Sequence, residues 1–310
     1  MTMHPKKILV LADGSKRSMK TVQYVGKFLP PAGLQMVLFY VYDPVPECYW
    51  DLENTPQSIQ VISQLRSWEQ QKRKNIEEFM KTAKDLLVKS GFDETSIEIK
   101  IQNRKQGIAR DIIKEAEDGE YGAVVLHRRG FSALESLVIG SVASKLLSKI
   151  SFVPLIITGQ IPPVKKILLA IDGSDSSYRV VELVGGFLGG SDYEVLLFNV
   201  IRGFGSLVPE LPDEMISMDR FELARSEMTA LFAELKKKLV SAGFDPTKIS
   251  EKIVSGEFSR AGAIVREAKN GGFGAIVVGR RGISKVEEFF LGRVSNKVIH
   301  GGQRHTIWVV

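Results

Sequence analysis

KKILVLADGS, residues 6–15, is written a second time as KKILLAIDGS at residues 165–174. In each copy a short unbroken apolar run, Ile8 to Ala12 or Ile167 to Ile171, meets an Asp-Gly-Ser turn. Such a run, without polar alternation, suits a strand covered on both faces. Beyond the turn, Val22, Val25, Phe28 and Leu29 recur as Val181, Val184, Phe187 and Leu188, the spacing of a helix with one inward face. MVLFYVY (36–42) and VLLFNVI (195–201) then read as second strands, and a long charged amphipathic helix follows in each copy, stopped at Gly91 or Gly243. IEIKIQ (97–102) and ISEKIV (249–254) alternate like half-covered strands. A short helix through Ile112, Ile113 and Ala116, or Ile264, Val265 and Ala268, leads to AVVL (123–126) or AIVV (275–278). A last helix and PLIIT (154–158) or TIWVV (306–310) close each copy. Strand and helix alternating at this spacing give parallel βαβ units with right-handed crossovers. Each copy is therefore predicted to be a doubly wound α/β domain with a five-stranded parallel sheet.

The repetition extends to the other end of the copies. SGFD (90–93) returns as AGFD (242–245), and VLHRRGFSALESLVIGSVASK (125–145) returns as VVGRRGISKVEEFFLGRVSNK (277–297) with 9 of 21 positions identical. Two homologous domains, 1–160 and 161–310, are expected, joined by GQIPPV (159–164), whose Gly and Pro suit a linker.

Composition narrows the chemistry. Apolar residues are 44% and charged residues 25% of the 310-residue chain, ordinary for a globular protein. The net charge of +6 comes from scattered Lys and Arg without a long basic stripe, so nucleic acid is not indicated. A single cysteine, Cys48, excludes an intramolecular disulfide framework, and His4, His127, His300 and His305 lack zinc-type spacing. The apolar run near the N-terminus is too short for a signal segment and nothing later approaches a membrane span, so a cytoplasmic location without membrane contact is expected.

In doubly wound sheets ligands bind beyond the carboxyl ends of the strands. Asp13 and Asp172 end the first strands, and the glycine-containing loops 127–140 and 279–292 leave the fourth, which places both features on one crevice. Each loop feeds a helix, through Gly140-Ser141-Val142 or Gly292-Arg293-Val294-Ser295. Unpaired N–H groups and the positive dipole end at a helix start attract anions, and glycine lets phosphate oxygens approach the backbone. On spacing alone two readings stand level: Gly130, Gly279, Gly282 and the glycines before the helices hold a phosphate, or they shape the loop and permit tight packing. Arg129 and Arg281 have the same two readings, phosphate partners or solvated loop residues. Ser15 and Ser174 sit where a helix N-cap is wanted, with no histidine beside them in sequence. His127 has no counterpart in the second copy, which argues against an acid–base role.

Together the K-K-I-L…D-G-S openings, Val41 and Val200 in the second strands, and the Gly-x2-Gly-x9-Gly loops resemble the universal stress protein family, as a tandem of two such domains. The resemblance implies the adenine nucleotide alpha-hydrolase-like, Rossmann-like fold. It implies a stress-response protein that binds ATP, with Mg2+, as a regulatory ligand without dedicated catalysis. Carried over by position, the nucleotide would meet Asp13, Val41, Arg128, Arg129, Gly130, Gly140, Ser141 and Val142 in the first copy. In the second it would meet Asp172, Val200, Gly279, Arg280, Arg281, Gly282, Gly292, Arg293, Val294 and Ser295. Both copies depart from the family pattern: His127 replaces the leading glycine, and Arg293 stands where Ser or Thr is expected. A histidine side chain would obstruct the nucleotide's approach, whereas Arg293 keeps the backbone donors and adds a phosphate partner or fills the pocket; the second copy is the better candidate. The alternative is a nucleotide-free scaffold. Single-domain relatives pair their last strands between subunits, so PLIIT and TIWVV would pair within one chain as a pseudo-dimer, with a homodimer as a further assembly. Related adenylating enzymes carry a Ser-Gly-Gly-x-Asp-Ser loop after the first strand, and DGSKRS (13–18) and DGSDSS (172–177) lack its paired glycines.

Overall fold

The computed structural model describes residues 6–50, 56–129, 139–160, 164–201, 218–281 and 291–310. The first half runs β1 (Lys6–Leu11), α1 (Lys16–Phe28), β2 (Leu34–Tyr42), α2 (Pro56–Lys89), β3 (Ile97–Asn103), α3 (Ile108–Asp118), β4 (Ala123–His127), α4 (Ser141–Lys149) and β5 (Leu155–Thr158). The second repeats it with β6 (Lys166–Ala170), α5 (Asp175–Leu188), β7 (Glu194–Ile201), α6 (Met218–Ser241), β8 (Ile249–Ser255), α7 (Arg260–Asn270), β9 (Ala275–Val278), α8 (Arg293–Gly301) and β10 (Thr306–Val309).

The two five-stranded halves are fused into one ten-stranded sheet, in the order β3-β2-β1-β4-β5-β10-β9-β6-β7-β8. Every neighbouring pair is parallel except β5 and β10, which run antiparallel with Trp308 opposite Ile156. The closing strands of the two copies therefore pair with each other, and each covers the edge the other would leave open. Burial follows position in the sheet. The described side chains of β5 and β10 are all buried, whereas Glu98 of β3 and Glu251 of β8, on the two outer edges, are exposed.

Helices α1, α2, α5 and α6 cover one face and α3, α4, α7 and α8 the other, and the apolar core on each face is continuous across both halves. At the seam the first face is aromatic. Trp308 meets the rings of Phe28 at 5.9 Å and Phe187 at 6.4 Å edge-on, and its indole N–H donates to the Tyr24 hydroxyl at 3.2 Å. The Tyr193 hydroxyl of the second half donates to the Phe28 carbonyl of the first. Thr21 of α1 bonds Thr158 of β5 side chain to side chain at 2.8 Å, which ties the helix layer to the seam strand.

Candidate functional site

The Asp-Gly-Ser turns after β1 and β6 are built by the chain's own polar side chains. Gly14 and Gly173 take φ of +79° and +81°, the left-handed conformation that an L side chain rarely adopts. The Asp13 carboxylate accepts the Ser15 N–H at 2.9 Å, and the Ser15 hydroxyl caps α1 by accepting the Ser18 N–H at 3.1 Å. In the second half the Asp172 Oδ1 accepts from the Ser174 N–H at 3.1 Å, the Ser174 hydroxyl at 2.6 Å and the Ser177 hydroxyl at 3.2 Å. Both aspartates are half-buried. Ser15 is thus the N-cap that the sequence predicts, while the Ser174 hydroxyl is turned onto the aspartate, and Ser177 locks that turn by a contact sequence reading missed. Val41 and Val200, near the ends of β2 and β7, are buried in the core of the α3–α4–α7–α8 face. Beside Val200, Asn199 is buried and its amide donates to the Ile171 carbonyl at 2.7 Å.

The loops after β4 and β9 return to the sheet through one repeated contact. The Gly140 N–H donates to the Arg128 carbonyl at 2.9 Å, and the Gly292 N–H to the Arg280 carbonyl at 2.7 Å. Helices α4 and α8 start immediately afterwards, with Gly140 and Gly292 as N-caps in extended conformation and no side-chain cap on either. Their first-turn N–H groups are the backbone donors that a helix leaves without intrahelical partners. Ser141 and Arg293, the first helical residues, are exposed, Val142 and Val294 are half-buried, and the Ser295 hydroxyl donates to the Gly279 carbonyl at 2.5 Å. Gly130 and Gly282, expected in the middle of the loops, lie outside the described residues.

Arg128 and Arg280, carried over by position to the nucleotide site, are buried, 4% and 7% exposed, and reach across the seam. Arg128 donates through Nη1 to the Ile299 carbonyl of α8, and Arg280 through Nη1 to the Leu147 carbonyl of α4 at 2.7 Å. Those carbonyls belong to the last turns, where the helix leaves acceptors unpaired and the dipole is negative, so a guanidinium there neutralises a helix end. Burial, then the neighbouring Arg129 or Arg281, pulls each guanidinium down to about 10. The contacts close a circuit: each arginine sits at the root of one half's loop and holds the far end of the helix that starts at the other half's loop. Arg129 is half-buried and Arg281 exposed.

The halves differ at the leading loop position. A Cβ on Gly279 would collide with the Cβ of Ser176 in α5, so this glycine has a packing reason independent of any ligand. In the first half the position holds His127, whose Nδ1 lies 2.9 Å from the Arg129 carbonyl. Burial, and then the charge of Arg17, lowers the imidazole below its usual value of 6.5, with Asp13 opposing. Asp13 and the root of the β4 loop thus share one neighbourhood.

Among the described residues no helix is long and apolar enough to cross a membrane, and no group of three or more His, Cys, Asp or Glu could hold a metal ion. The model of the universal stress protein family matches the chain twice, over residues 4–158 and 163–304. Universal stress protein Slr1230 of Synechocystis is 23% identical over 305 residues, covering 95% of this chain and 96% of its own. Universal stress protein YxiE of Bacillus subtilis is 32% identical over 139 residues, 43% of this chain and 90% of its own. A universal stress protein from Archaeoglobus fulgidus has the same fold at a TM-score of 0.60 and 19% identity, covering 99% of this chain and 96% of that one. A sheet built from two copies of one β–α pattern, matched in both halves by one family model, makes this chain a member of the universal stress protein family.

Proposed function

We propose that the protein binds an adenine nucleotide, ATP with its Mg2+, as a regulatory ligand without dedicated catalysis, and that the second half is the better site. The observation that supports this most is the uncapped start of α8 behind Gly292, with exposed Arg293 at its first position. First-turn amides and a guanidinium suit phosphate oxygens, the amides by direction and the arginine by a paired, charge-assisted contact. Asp172, held in its turn by three hydrogen bonds, and Val200 suit the ribose and adenine end. Mg2+ would arrive on the phosphates.

Isothermal titration of MgATP tests the reading. Saturable binding is expected, weakened about tenfold by Arg293→Glu, since a charge-assisted bond contributes about 1.5–3 kcal/mol. No heat at millimolar MgATP would overturn it. The scaffold reading has one observation in its favour: Arg128, Arg280 and Gly279 all serve packing within the chain. ATP retained through purification would count against it.

A further inference from the structure

On the sheet face covered by α3, α4, α7 and α8 the two halves differ in charge and in volume. Helices α3 and α4 carry four cations and four carboxylates, whereas α7 and α8 carry five cations and one carboxylate, Glu267, which pairs with Lys252 at 2.7 Å. Between α7 and α8 lies an open groove of about 640 Å³, within the range of small-molecule sites. Ala261, Gly262, Val265 and Gly301 give it an apolar lining, and the exposed Arg266, Lys269 and Lys297 add three cations. At the matching places α3 and α4 carry larger residues, Arg110 for Gly262, Ile113 for Val265 and Lys149 for Gly301. Glu117 takes the place of Lys269.

The backbone demands neither glycine. Gly262 lies in the first turn of α7 and Gly301 in the last of α8, both without a positive φ, and glycine destabilises a helix relative to alanine. A Cβ on Gly301 would make ordinary contact with Val265 at 3.8 Å, and one on Gly262 would approach only the Ser259 side chain, at 3.3 Å. What the two share is the groove. Its charge is equally unforced. Arg266 pairs with Glu257, but Lys269 and Lys297 make no ion pair among the described residues, and no carboxylate is among the described lining residues. A lysine in a last helical turn suits the dipole, yet Glu117 in α3 shows that the fold accepts the opposite charge at that place. Arg266 and Lys269 occupy the C-terminal half of α7, whereas Ala261 and Gly262 lie at its start, just past Phe258, which is 70% exposed. One end of the groove is thus apolar and the other basic.

We infer that the α7–α8 groove binds an aliphatic monocarboxylate of the fatty-acid class, with its chain along Ala261, Gly262 and Val265 and its carboxylate at Lys269 and Lys297. The helix rise sets residues 262 and 269 about 10 Å apart along α7, room for a chain of medium length. An aliphatic chain suits this lining better than an acidic peptide does. The Ser259 hydroxyl already accepts the Gly262 N–H at 3.1 Å, and Ala261, Val265 and the two glycines offer no side-chain polar group to a peptide backbone. No residue of the groove is among those assigned to the nucleotide, so the inference stands apart from that reading.

The test is isothermal titration of the full chain with sodium hexanoate, heptanoate and octanoate at matched ionic strength. Saturable binding is expected, each added methylene tightening it about two- to fourfold. Acetate, which has the charge without the chain, and 1-octanol, which has the chain without the charge, should each bind about tenfold more weakly than octanoate or worse. Gly301→Lys and Lys269→Glu, each installing the first half's residue, should weaken octanoate about tenfold, the first by filling the groove and the second by reversing its charge. If Gly301→Lys does not fold, Lys269→Glu with Lys297→Glu, both at exposed positions, takes its place. No binding at millimolar octanoate, no progression with chain length, an equal affinity for octanol, or full affinity in the variants would each overturn the site. A hexaglutamate peptide that binds more tightly than octanoate would make the groove a docking surface for acidic segments and overturns the assignment as well. MgATP titrations of the same proteins separate this inference from the nucleotide reading. ATP binding without octanoate binding removes the groove site alone, and octanoate binding without ATP binding removes the nucleotide reading alone. Competition between the two would put the chain in the crevice and overturns the groove.

Discussion

Position 279 holds glycine because the Ser176 side chain occupies the space a Cβ would need. Gly279→Ala is expected to cost about 1–3 kcal/mol in urea denaturation, the usual cost of overpacking. Ser176→Gly in the same chain should return at least half of it, because the two positions share one space; independent, additive effects would show that the clash is not the cause. A histidine gives the residue scale a pH dependence. His305 is 4% exposed and its Nε2 has no hydrogen-bond partner among the described residues; burial, the main cause, lowers its pKa below 6.5. The unfolded chain, titrating near 6.5, then takes up the proton first, so this contribution is complete above that pH and is lost as the pH falls through 6.5 toward the lower folded value. Urea midpoints at pH 7.5, 6.5 and 5.5 should fall in that order, and His305→Gln should flatten the slope. An unchanged slope would remove His305 as the source.

At the scale of elements, the strands and helices were legible because their signals are local. Continuous apolar runs mark the inner strands, the alternation in IEIKIQ marks an outer one, and Gly91 and Gly243 end the long helices where the chain needs φ of +99° and +97°. Asp13, Asp172 and the helix starts at 141 and 293 were placed by the same local logic. The partners of Arg128 and Arg280 were not legible, since each lies more than 130 residues away along the chain. The only available signal was the repeated Arg-Arg pair, which reads equally well as a phosphate contact. The crossed arginines support a mutational prediction. Arg280→Ala should destabilise the chain by about 2–4 kcal/mol, by orphaning the Leu147 carbonyl and emptying a packed site. Arg280→Met, which keeps volume and removes the buried charge, should cost less. Urea denaturation decides the order, and a loss below about 0.5 kcal/mol for the alanine variant would show that α4 does not depend on this contact.

At the scale of the whole molecule, both cores run across the seam, so the halves should melt together. A single cooperative calorimetric transition is expected for the full chain. Residues 161–310 expressed alone would expose the β10 edge and uncover Trp308 on the side that Phe28 and Tyr24 occupy. That piece should pair with a second copy of itself through β10, giving a dimer in light scattering; a stable, well-folded monomer would contradict the role given to the seam. The β5–β10 pairing has a further consequence. A dimer of identical subunits must carry every substitution twice, so a histidine gained at one crevice appears at the other. One continuous chain with two halves has no such obligation. His127 with Arg17 on one side and Gly279 with Ser176 on the other show that freedom in use: the pseudo-twofold axis relates the backbones, while each side keeps its own chemistry.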